Sequence, residues 1–126
     1  MNANKRPLAV TFIGCLYALV GVLGFAFHLR EFLARHAFHI DVIEIEVTEL
    51  VALFAGIYVL RGHNWARFLA VAWILFHVIL SAFEPDRGLL VHSVICILII
   101  WALFNPAANR YFRQQPATPP PTSPDS

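Results

Sequence analysis

Charge is scarce in this chain. Of 126 residues, nine are Lys or Arg and eight are Asp or Glu, 13% in all, where soluble domains carry about 25%. With a net charge of +1 and no basic cluster, the chain has no footprint for nucleic acid. Cysteine is rare as well. Cys15 and Cys96 both lie in apolar runs, outside any C-x-x-C or Cys/His spacing, so neither a zinc site nor a redox motif is written here. A cysteine in such a run behaves as a small hydrophobe. Nucleophile–base–acid patterns are missing: Ser81 and Ser93 have no His and Asp set that sequence spacing would assemble. The expectation is a protein that is not an enzyme.

What the chain does have is apolar length, 59% hydrophobic residues. Leu8–Leu29 runs 22 residues without Asp, Glu, Lys or Arg, about 33 Å as a helix, enough to cross a hydrocarbon core. It is too long for a signal-peptide core and no A-x-A-like site follows, so it reads as a retained helix. Three further runs follow at 42–60, 65–83 and 88–104. The second opens Val42-Ile43-Glu44-Ile45-Glu46-Val47, an alternating, β-branched stretch that reads as strand. Lipid reverses that reading, because an isolated strand leaves its backbone unpaired there. The runs are apolar on nearly every side, unlike helices of a soluble bundle. The predicted fold is therefore all-α: an antiparallel bundle of four transmembrane helices over residues 1–113.

The connections at 61–64 and 84–87 are short and force antiparallel neighbours. The longer first loop, Arg30 to Asp41, alternates Phe32, Leu33 and Phe38 with Arg35 and His36, which suits a short helix lying in the interface. Five of the last thirteen residues, 114–126, are proline, so a disordered tail is expected. Lys5, Arg6, Arg61, Arg67, Arg110 and Arg113 fall on one side, with Arg67 close enough to its helix end to snorkel. Arg30, Arg35 and Arg87 fall on the other. The side with six should be cytoplasmic, placing both termini there.

Leu60-Arg61-Gly62-His63-Asn64-Trp65-Ala66-Arg67, with Arg6-Pro7-Leu8-Ala9-Val10-Thr11, resembles small bacterial multi-pass membrane proteins in which a Gly-x-Asn-Trp-Ala-Arg turn links two hydrophobic helices. The likeness covers the four spans and not the tail. It implies a bacterial plasma membrane and carries no activity with it. Physics accounts for the turn: Gly62 suits a left-handed helix end, Asn64 an N-cap, and Trp65 a headgroup-level anchor.

Small and polar residues share one seam on each run. They are Gly14, Ala18, Gly21 and His28; Glu46, Glu49, Leu53 and Gly56; Ala66, Ala70, Trp73 and His77; and His92, Cys96 and Ile99. Such seams face a bundle interior. At 1.5 Å per residue, Glu49 lies about 10 Å, His77 about 9 Å and His92 about 6 Å inward from the same membrane surface, near the end of the first run at His28. His28, Glu46, Glu49, His77 and His92 are thus a candidate polar cluster in one leaflet. Three readings stay open. The cluster is a hydrogen-bonded network that fixes helix register, a site for a transition metal or haem, or a vestibule for protons, ions or small molecules. The expected role is a non-enzymatic accessory or structural component of a lipid bilayer, as a homo-oligomer or with a membrane-protein partner.

Overall fold

A computed structural model describes residues 5–35, 40–83 and 88–114. They form five helices and, among the described residues, no strand: α1 Leu8–Arg35, α2 Ile40–Leu60, α3 Asn64–Ala82, α4 Gly88–Phe104 and α5 Pro106–Arg113. The β-branched opening of α2 is helical throughout, with the Thr48 hydroxyl donating back to the Ile45 carbonyl (2.7 Å). Among the described residues, the stretch expected to leave the first span and form a separate interfacial helix continues α1 instead. Leu29–Arg35 contains no Gly or Pro and is mostly good helix former, so α1 continues without a break to 28 residues, about 42 Å. His36, His39, the 84–87 connection and residues 115–126 of the expected tail lie outside the described residues.

α1 and α3 are each long and apolar enough to cross a membrane; α4 counts as a third span only if it and α5, bent by 57°, are taken as one. α2 falls short because Asp41, Glu44, Glu46 and Glu49 crowd its first half, and α4 alone has 17 residues.

α1 packs chiefly on α2, α3 on α2 and α4, and α4 closes on α1 more sparsely. Glycine sets the first of these contacts. A Cβ at Gly21 would lie 2.5 Å from the Leu53 nitrogen, and one at Gly56 2.5 Å from the Ala18 nitrogen. The two backbones run antiparallel at a separation that no larger residue permits. Tyr17 and Trp73 tie in α3: the Tyr17 hydroxyl donates to the Ala70 carbonyl (2.7 Å), and Trp73 Nε1 donates to the Thr48 carbonyl (2.8 Å). Val10, Ile13, Ala52, Ala55, Val59, Ala66, Ala70, Ile74, Cys96, Ile99 and Leu103 make the core. Most of these lie in the half of the bundle nearer α5, with Ile74 and Cys96 near mid-length. Beyond that level no described residue is buried.

The α2–α3 turn follows its expectation in one respect and departs from it in another. Gly62 is left-handed at φ +82. Its N–H bonds Val59 O, and the His63 N–H bonds Tyr58 O, the paired bonds of a Schellman ending. The N-cap of α3 is His63 and not Asn64, with no side-chain cap bond. The extended residue following the Schellman glycine is His63, which leaves Asn64 already helical.

These contacts rank the glycines. Gly21→Val is expected to destabilise by roughly 1–3 kcal/mol through overpacking, and Gly62→Ala by about 1 kcal/mol through its backbone. Gly88→Ala should be near neutral, since its nearest neighbours would sit at 3.6 Å. Thermal loss of helicity in detergent checks the order.

Candidate functional site

The candidate residues lie in the loosely packed far half. His28 Nδ1 sits 2.9 Å from Gly24 O, His77 Nδ1 2.9 Å from Trp73 O, and His92 Nδ1 2.7 Å from Gly88 O. Each is the carbonyl one turn earlier in the same helix. A carbonyl only accepts, so each Nδ1 carries the hydrogen, and a neutral ring keeps its lone pair on Nε2. Three helices thus hold their imidazoles in the same way and leave the same edge free.

Glu49 is seated on Gly24, whose missing Cβ would coincide with the carboxylate. Its titratable neighbours are His28 on α1, His77 on α3 and Glu46 one turn away on α2. His77 stacks on Trp73, with ring centroids 4.0 Å apart, and lies 6.1 Å from the His92 ring. His28, His77 and Glu46 are thus near enough to Glu49 to act on it electrostatically, and the His92 ring adjoins that of His77. Both Glu46 oxygens and Glu49 Oε2 are shielded and have no hydrogen-bond partner among the described residues. The His/Glu belt is not a chelate. Among the described residues no three His, Cys, Asp or Glu side chains gather closely enough to hold one metal ion.

Ser81 meets His92 in space, Oγ to Nδ1 at 2.8 Å, a pairing sequence spacing did not reveal. The nitrogen facing Ser81 is the protonated one, so the hydroxyl meets a donor and not a base. This pair lacks the polarity of an activated nucleophile.

Arg67 departs most from expectation. Instead of snorkelling to headgroups it is 4% exposed. Nη1 donates to Leu103 O (3.3 Å) and to Asn109 Oδ1, and the guanidinium lies 4.5 Å from the Phe104 ring centre and 5.3 Å from that of Phe112. α5 builds this cage. Asn105 caps it by accepting from the Ala108 N–H, Pro106 opens it, and Tyr111 donates to Leu60 O (3.1 Å). A segment that reads in sequence as an amphipathic scrap is thus the lid over a cation. Its signal was there in Asn109, Tyr111 and Phe112, a polar and aromatic face one turn long directly after the helix stop.

No protein-family model matches the chain, and neither does any curated protein or solved structure.

Arg67→Ala is expected to cost about 2–3 kcal/mol by orphaning the Leu103 carbonyl and Asn109. Arg67→Lys should recover only part of that, because an ammonium lacks the flat guanidinium that lies over Phe104 while Nη1 bonds both acceptors. Melting temperatures of the three proteins in one detergent give the comparison.

Proposed function

We propose that the chain is a non-enzymatic, four-span component of a cell membrane, with both ends on the cytoplasmic side and the His/Glu belt in the outer leaflet. The observation that carries this reading is the apolar girdle. Large side chains face outward on every one of the four long helices: Phe27 at 62% exposure on α1, Phe54 on α2, Phe68 on α3 and Ile97 at 66% on α4. Water penalises so continuous a surface; a bilayer is its natural solvent. α2 joins the other spans on this reading because Glu46 and Glu49 are shielded against α1 and α3, while Ile45, Val47, Phe54 and Ile57 look outward.

Orientation rests on charge. Lys5, Arg6, Arg61, Arg67, Arg110 and Arg113 all gather at the α5 end, which the positive-inside rule assigns to the cytoplasm. The belt is then a polar network that fixes the register of four helices. Passage across the bilayer has less support, since Ala52, Ala55, Ile99 and Leu103 fill the core between the Tyr17–Trp73 level and the Arg67 cage.

Reporter fusions after Arg35 and after Arg113 should report opposite sides of the membrane, and the chain should leave the membrane only with detergent. Both fusions reporting one side would overturn the topology. A Soret band or stoichiometric metal in the purified protein, lost in His77→Ala and His92→Ala, would assign the belt to ligand chemistry instead.

A further inference from the structure

The sparse contact between α1 and α4 leaves a groove of about 700 Å³, lined by Leu8, Phe12 and Cys15 on one side and Leu98, Trp101 and Ala102 on the other. Its size is that of a small-molecule site, yet it holds almost nothing polar. The one hydroxyl on its wall, that of Thr11, is turned back onto the Pro7 carbonyl (3.3 Å). From Leu8 to Cys15 the groove spans about 10 Å along α1, most of one leaflet of about 15 Å. Lys5 and Arg6, both exposed, come three and two residues before Leu8, which lines the groove. No Asp or Glu occurs at this end among the described residues: the described carboxylates, from Glu31 to Glu49, all belong to the far half.

We infer that this groove binds one anionic glycerophospholipid. An acyl chain lies between α1 and α4, and the phosphate meets Lys5 and Arg6. The inference rests on the membrane reading above. The apolar walls select a hydrocarbon chain, and the exposed cations, with no carboxylate beside them among the described residues, select the charge of its headgroup. In a bilayer a cleft of this kind does not stay empty, because an acyl chain entering it gains wall contacts on both sides. Each cation near an anionic phosphate adds to the preference.

Native mass spectrometry of the detergent-solubilised full chain, reconstituted with phosphatidylglycerol and phosphatidylcholine in equal amounts, tests the assignment. One phosphatidylglycerol should remain per chain, preferred over phosphatidylcholine by about 30-fold if both cations act. Lys5→Gln with Arg6→Gln, at exposed positions that leave the fold intact, should remove most of that preference while some lipid stays bound. Cys15→Trp, a change at an exposed groove wall, should fill the cleft and abolish retention of either lipid with helicity unchanged. Equal retention of both lipids by the unaltered chain, retention unchanged in Cys15→Trp, or a dimer that Cys15→Trp dissociates would each overturn the inference. A chain that needs detergent for extraction yet keeps no preferred lipid sinks this inference alone. A chain soluble without detergent sinks the membrane reading with it.

Discussion

The close approach of α1 and α2 is the constraint from which the remaining arrangement follows. Lipid tails are as apolar as leucine, so helices in a bilayer gain by contact and not by hiding from solvent. Gly21 and Gly56 let one backbone rest against the other at van der Waals distance. The next glycine along α1, Gly24, leaves a notch that the Glu49 carboxylate occupies. One seam thus supplies dispersion contact at its centre and a seat for a polar group at its end. Tyr17 and Trp73 then fix α3 against the pair through two backbone carbonyls, those of Ala70 and Thr48. Those bonds mark the level at which an apolar core gives way to a polar belt.

The bundle is unequal along its length. Near α5, alanines and branched aliphatics interlock and the core is fully buried. In the far half, imidazoles and carboxylates stand in partial exposure, each histidine steadied by its own helix. Local bonds of this kind orient a ring without linking helices. The links between helices there are aromatic and electrostatic: His77 with Trp73 and His92, and Glu49 with His28 and His77. Such contacts are softer than close packing.

Arg67 organises the other end. A buried guanidinium requires acceptors and flat apolar cover, and α5 brings both, through Asn109 and Phe112. The bend after Phe104 places that short helix beneath the α2–α3 turn, where Tyr111 also closes on Leu60 and Gly62. Residues 105–113 are therefore a structural piece of the bundle.

Local pattern determined much of this protein. Long apolar runs dictate helices, the short links dictate antiparallel neighbours, Gly62 dictates a left-handed turn, and the seams of small residues name the contact faces, because each depends on residues within one or two turns. The same periodicity picked out Glu49, His77 and His92 as inward-facing. It did not reach the length of α1, since charge at Arg30 and Glu31 looks like a span boundary although nothing there breaks a helix. Only the tertiary structure decided the cage around Arg67, the meeting of Ser81 with His92, the seat of Glu49 on Gly24 and the open cleft between α1 and α4. Each joins side chains from different helices, and the distance between two helices is set by packing along their whole length, a quantity no local stretch of sequence encodes.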